Sequence, residues 1–287
     1  MTFKDSLFIA SQHLIPQHTI SRVAGRLANC RQPAVKKRFI SWFAKRYGVD
    51  MSEAERPNLE DYECFNDFFT RAMKADARPI DNGEESIVCP ADGTISQLGS
   101  INEGRIFQAK GQSYSTLELL GGDPALAEEF ADGSFATVYL SPKDYHRVHM
   151  PMTGTLRQMV AVPGQLFSVN EVTARHVPRL FARNERVVCI FDTEIGPMAV
   201  VLVGAVIVAG IETVWAGEQA PIGRRVSTTY YGDAAPASIK LDKGAEMGRF
   251  KLGSTAIVLF GRDKVHWSEQ FSAGTPTRMG EALGQRA

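Results

Sequence analysis

Met198-Ala-Val-Val-Leu-Val-Gly-Ala-Val-Ile-Val-Ala-Gly-Ile211 is the longest apolar run in the chain, and its length decides how it is read. Fourteen residues fall short of the roughly 20 that a helix needs to cross a bilayer. Gly204 and Gly210 interrupt it, and valine and isoleucine dominate it. Those features predict a buried strand over 198–208, so any membrane contact must be peripheral. Downstream, Ala256-Ile-Val-Leu-Phe260 reads the same way. Upstream, short β-rich runs separated by Gly, Pro and Asp predict strands at 87–89, 94–98, 105–109, 135–140, 154–162 and 187–192. Two short helices interrupt them. Ser115-Thr-Leu-Glu118 is a capping box stopped by Gly121 and Gly122, and a second helix is expected over 124–131. The tail after Ser272 is polar and reads as loose.

Before residue 81 the period changes to that of a helix. Phe3, Leu7 and Leu14, with Phe8 and Ile15, make one apolar face that Pro16 ends. Ile20, Val23, Ala24 and Leu27 make a second, and Phe39, Ile40, Trp42 and Phe43 a third that Gly48 can terminate. Tyr62, Phe65, Phe68, Phe69 and Met73 suggest a fourth. Helices first and strands afterwards indicate an α+β protein.

Net charge is zero over 287 residues, which gives no reason to expect a nucleic-acid partner. Its distribution is uneven. The first fifty residues carry nine basic side chains against Asp5 and Asp50, so the remainder is acidic. Basic amphipathic helices suit an anionic lipid surface, although most amphipathic helices are solvated faces packed on their own domain. The N-terminus does not read as a signal peptide, because Phe3 to Ile9 is short and contains Lys4, Asp5 and Ser6. Cys30, Cys64, Cys89 and Cys189 form no CxxC pair and read as reduced thiols of a cytosol-facing protein.

Three stretches could carry chemistry. Pro90-Ala-Asp92-Gly93 also fits an ordinary Asp-Gly turn. Asp144-Tyr-His146-Arg-Val-His149-Met-Pro151 holds two histidines that could ligate a metal, carry protons or simply hydrogen-bond. A zinc site would want a third ligand, and Pro142 and Pro151 confine the segment to a short turn, which favours acid–base work and no metal. Phe250-Lys-Leu252-Gly253-Ser254-Thr255 could be a strand entrance with a permissive glycine. Equally, glycine before serine leaves a peptide carbonyl open to the neighbouring hydroxyl. No G-x-S-x-G nucleophile elbow is present.

Taken in order, six phrases resemble the bacterial phosphatidylserine decarboxylase family. They are Pro90-Ala-Asp-Gly-Thr-Ile-Ser96, Tyr145-His-Arg-Val-His-Met-Pro151, Leu166-Phe-Ser-Val-Asn170, Leu180-Phe-Ala-Arg-Asn-Glu-Arg186, Ile211-Glu-Thr-Val-Trp-Ala-Gly217 and Gly248-Arg-Phe-Lys-Leu-Gly-Ser-Thr255. The resemblance implies a pyruvoyl-dependent proenzyme with a helical membrane-associating region over 1–80 and a β-rich catalytic domain over 81–287. It implies cleavage between Gly253 and Ser254, giving a β chain 1–253 and an α chain 254–287. Asp92, His149 and Ser254 fall on the family's self-cleavage triad. Ser254 then becomes the pyruvoyl group, which holds the substrate amine as an imine, with neither metal nor pyridoxal phosphate. By the same resemblance His146 binds the carboxylate or supplies a proton, and Phe167, Ser168 and Val169 line the pocket. The implied substrate is phosphatidylserine, at the anionic cytoplasmic face of the cell membrane. Phe3, Leu7, Phe8, Leu14 and Ile15 are the candidate inserting residues, and a homo-oligomer, such as a dimer, is expected. Two readings compete: a Ser-His-Asp lipid or peptide hydrolase with an intact chain, and a non-enzymatic membrane-binding module.

Overall fold

The computed structural model of the chain describes residues 3–206, 210–232, 238–251 and 254–287. Four α-helices come first: α1 (Phe3–Leu14), α2 (Gln17–Ala28), α3 (Pro33–Tyr47) and the short α4 (Phe65–Phe69). Pro16 separates α1 from α2, and Gly48 closes α3 at a φ of 65°, a left-handed conformation that suits glycine. Ile40 and Phe43 of α3 pack with Phe65, Phe68 and Phe69 into a separate aromatic core. Trp42, assigned to that apolar face from spacing, is instead 56% exposed. The fourth helix is shorter than the aromatic spacing suggests. Tyr62 follows a 3-10 turn at Leu59–Asp61, and Met73 bridges to Ala54 outside the helix.

The strands that build the site are β1 (Gly93–Ser100), β2 (Ser134–Leu140), β3 (Arg147–His149), β4 (Gly154–Val162), β5 (Arg186–Thr193), β6 (Gly196–Val203), β7 (Gly210–Thr213), β8 (Glu246–Lys251) and β9 (Ser254–Phe260). Among the described residues, one antiparallel sheet runs β4-β5-β6-β9-β2-β1, with short strands added at each margin. Strand β9 lies in its middle, paired with β6 on one side and β2 on the other, and every residue of β9 is buried. Period-two geometry explains why its run is apolar throughout. Ala256, Val258 and Phe260 enter one core with Val200 and Leu202, whereas Ile257 and Leu259 enter another with Val201 and Val203. A smaller sheet orders β7-β8-β3.

Two expectations change. Of the apolar run predicted as one strand over 198–208, β6 ends at Val203 and 204–206 are not strand, while 207 and 208 lie outside the described residues. Gly210 then starts β7 in the other sheet. The C-terminal tail is not loose. Pro276–Thr277 pairs with β1, and Ala282–Arg286 pairs with Ser86–Val88 and Val265–Trp267, with Leu283 fully buried. Polar spacing hid a strand that needs few apolar side chains, because its backbone pairing and Leu283 hold it. The cysteines are free, three of them buried, as read from the sequence.

Candidate active site

The three chemical stretches meet at one rim of the large sheet, and backbone pairing brings them there. Ser254 opens β9 opposite Leu140, the last residue of β2, while Thr94 faces Tyr139 on the other side of β2. Gly93 is needed at this corner, since a Cβ would overlap the Tyr139 carbonyl oxygen. His149 N–H donates to Pro90 O at 2.8 Å, and Phe250 N–H donates to His146 O at 3.0 Å. Asp92, both histidines and Ser254 are thus gathered from three separate segments of the chain.

Their side chains are not joined as a hydrogen-bonded triad. Asp92 accepts from Arg78 through Nε (2.8 and 3.0 Å) and Nη2 (2.5 Å), and from Met279 N–H at 2.9 Å. Arg78 also bridges Glu53 at 2.9 Å. Burial works against the Arg78 cation, yet the bonds and charges of Asp92 and Glu53 outweigh it and raise its pKa. His149 Nδ1 lies 2.8 Å from Gly244 O, and Nε2 lies 3.0 Å from the Tyr145 hydroxyl. A carbonyl can only accept, so Nδ1 carries the proton and Nε2 is the basic nitrogen. Desolvation lowers the His149 pKa, partly opposed by the Gly244 bond.

His146 has the same tautomer for the same reason, with Nδ1 2.8 Å from Asp144 O. Its ring packs 4.0 Å from that of Phe69, and its Nε2 is buried with no hydrogen-bond partner. Complete burial lowers its pKa to about 3, against a smaller upward pull from the Asp144 bond. Among the described residues Ser254 Oγ and Thr255 Oγ1, on opposite faces of β9, are likewise buried and unpartnered. Ser254 itself is 0% exposed. Gly253, the other half of the expected cleavage site, lies outside the described residues. Orphaned buried polar atoms are rare, and each calls for an explanation in strain, chemistry or a bound group.

Phe167, Ser168 and Val169 lie along the same rim. Asn184 Nδ2 donates to Phe167 O at 2.9 Å and to Gly204 O at 2.8 Å, next to the end of β6, and Thr255 pairs with Val203 there. Phe167 and Val169 are buried and Ser168 is partly so. Of the candidate inserting residues, Leu7 is 64% exposed, while Phe8 and Ile15 are half-buried. The side chains of Phe3 and Leu14 lie outside those described.

Three residues escaped sequence reasoning. Arg78 is the partner of Asp92, but it sits in a polar linker with no motif. Tyr145 stands on His149, and its place inside the quoted histidine phrase was the available signal. Arg71 is 2% exposed and donates to Lys143 O at 2.9 Å, while its Nε and Nη1 have no partner. It follows Phe69 by two residues, and nothing in the aromatic spacing there marked it.

Sequence comparison adds a decisive observation. The family model described as phosphatidylserine decarboxylase matches residues 65–285, and a second, described as PSD, matches residues 7–48. The chain belongs to the phosphatidylserine decarboxylase family. A relative from Pseudomonas fluorescens is 64% identical and one from Pseudomonas putida 65%, each over 98% of both chains. One from Pseudomonas aeruginosa is 64% identical over 99% of this chain and 98% of its own. All three are named phosphatidylserine decarboxylase proenzyme. The two family matches leave 49–64 between them, where the helical region passes into the segment carrying α4.

Proposed function

We propose that this chain is a precursor that cuts itself between Gly253 and Ser254 and then decarboxylates phosphatidylserine to phosphatidylethanolamine and carbon dioxide. The observation that carries the reading is the fully buried, partnerless Ser254 hydroxyl at the head of the central strand, in a family whose relatives are named proenzymes. A hydrolase working through an intact chain has no support from that naming.

In the cut, His149 takes the Ser254 Oγ proton on Nε2, and Oγ attacks the carbonyl carbon of Gly253. The peptide C–N bond breaks as the ester C–O bond forms, and the proton passes to the Ser254 nitrogen. Loss of the Ser254 Cα proton then expels the Gly253 carboxylate with the upstream chain and leaves dehydroalanine. Water hydrolyses it to a terminal ketone, releasing ammonia. Tyr145, whose hydroxyl donates to His149 Nε2, must move aside or relay that proton. Asp92 acts in this scheme through its charge near His149, since its own bonds go to Arg78 and Met279.

The resulting pyruvoyl group would be held at residue 254, and it supplies an electron sink for the decarboxylation. The site leaves bonding open for such a group: among the described residues His146 Nε2 is buried without a partner, and the Arg71 guanidinium close enough to act on it has two nitrogens unpartnered. His146 is neutral in the uncut state, so Nε2 accepts a proton and does not offer a cation. Either of its proposed roles, binding the substrate carboxylate or returning a proton after carbon dioxide leaves, therefore needs solvent or substrate to load that nitrogen. Phe167 and Val169, buried in the core that receives Ile257 and Leu259, would close the pocket from that side of β9.

Residues 1–80 form the membrane-associating region of this scheme and 81–287 the catalytic one. Among the described residues no helix is long and apolar enough to cross a membrane. The exposed Leu7 and the basic helices support a peripheral attachment to anionic lipid at the cytoplasmic face. Denaturing electrophoresis and intact-mass analysis test the proposal. Wild-type protein should give two fragments, the shorter ending in a ketone, and Ser254→Ala one unbroken, inactive chain. Active wild-type protein with an ordinary serine at 254 would end it.

A further inference from the structure

A cavity of about 850 Å³ opens between α2 and the sheet rim. His18, Arg22 and Arg26 of α2 line it, together with Leu166, Glu185 and Arg224. It lies along the rim from Ser254: Glu185 leads into β5, and β6 separates β5 from β9. Two strand spacings put β5 and β9 roughly 10 Å apart. The wall is fixed to the helices, because Leu166 N–H donates to Gln17 Oε1 at 2.7 Å and Ser168 N–H to Gln12 Oε1 at 3.0 Å.

Among the described residues, the arginines of this cavity have no counter-ion. Arg22, Arg26 and Arg224 form no ion pair among the described residues. Arg22 and Arg26 are one helical turn apart, where like charges destabilise a helix. Glu185 is the one acidic residue in the described lining. Burial raises its pKa, which favours the neutral acid, and its Oε2 accepts from Ile222 N–H at 3.0 Å. His18 Nε2 sits 3.1 Å from Gly164 O, so that nitrogen is a donor already in use. On its solvent side the same helix exposes Ile20, Val23 and Leu27, with Val23 60% exposed. A cationic cavity beside an apolar strip matches an amphiphile with an anionic head. Guanidinium groups suit a phosphate through paired N–H donors.

We propose that this cavity holds the phosphodiester of a phospholipid headgroup, with the acyl chains leaving along Ile20, Val23 and Leu27. The inference rests on the reading above that the substrate is a phospholipid. The phosphate could belong to the substrate or to a neighbouring bilayer lipid, and the test separates them. Arg22→Ala/Arg26→Ala/Arg224→Ala alters three exposed residues. Self-cleavage is followed by gel, KM and kcat with monomeric short-chain phosphatidylserine, and sedimentation with phosphatidylcholine vesicles containing or lacking phosphatidylglycerol. The variant should process fully. If the substrate's phosphate binds there, KM rises roughly tenfold with a much smaller change in kcat. If a bilayer lipid binds, affinity for the phosphatidylglycerol vesicles falls by about that factor instead. Wild-type values in both assays overturn the proposal. So does loss of processing in the variant alone, which would make the arginines part of the fold. An uncut wild type would refute the self-cleavage reading, leaving vesicle binding to judge the cavity.

Discussion

Asp92 and Ser254 occupy the same rim, yet their bonding differs in kind. Around Asp92 both carboxylate oxygens are engaged, by an arginine that is itself held by Glu53 and by the Met279 amide. On the other side, Ser254 Oγ, His146 Nε2 and two nitrogens of Arg71 are buried without partners among the described residues. A saturated ionic cluster fixes geometry, and here it ties the irregular segment carrying Arg78 to the turn before β1 and to the turn that precedes the C-terminal strand. An unsaturated one stores unmade bonds that a reaction can complete. The contrast teaches that the first corner is built as a frame, whereas the second is the corner with bonds left to make.

Replacing the two histidines separately gives the largest test of that contrast. His149→Ala should remain one chain on a denaturing gel, because Ser254 loses its base. His146→Ala should still be cut, but its decarboxylation should drop by about 10²–10⁴-fold, the usual worth of a positioned proton carrier. An uncut His146 variant would exchange the two roles, and the geometry makes this a sharp question. Both imidazoles present a basic Nε2, and only that of His146 is unpartnered.

On the frame side, Arg78→Ala should act on stability first. Removing one member of a buried pair leaves an uncompensated charge and costs about 3–5 kcal/mol. Chemical denaturation of Arg78→Ala in a Ser254→Ala background, where no chain is cut, reads this directly. A loss below about 1 kcal/mol, as for an exposed pair, would remove Arg78 and Asp92 from the frame.

Much of this organisation was legible in the sequence. The change from helical to strand spacing near residue 81 gave the α+β order, and the capping box at Ser115 forms as read, with Ser115 Oγ accepting from Glu118 N–H. Asp92, His146, His149 and Ser254 were found as motif residues, and backbone pairing collects them. What their side chains bond to was not legible. Arg78 and Met279 meet Asp92 from opposite ends of the chain, and no local pattern encodes such a meeting. The tail failed for a related reason, since its strand depends on partners at Ser86–Val88 and Val265–Trp267. Leu7 lies on an apolar stripe with Phe8 and Ile15, but only contact with the rest of the fold decides that it is the exposed one.

The smallest effect concerns the unsaturated side and follows from proton linkage. His146 begins to take up a proton at about 3 in the native chain, against an ordinary value of 6.5 when unfolded. Below 6.5 the unfolded chain therefore binds a proton that the native one refuses, so stability falls as pH falls, and it stops falling through this group near 3. The slope is about 1.4 kcal/mol per pH unit where the unfolded histidine is charged and the native one neutral. His149, lowered in the same direction, adds to it. Urea unfolding of Ser254→Ala between pH 7 and 4 should show the decline, and His146→Gln should make it shallower. An equal slope in both would mean that His146 is hydrated, and the dry, partnerless nitrogen assigned to the reactive side would then be absent.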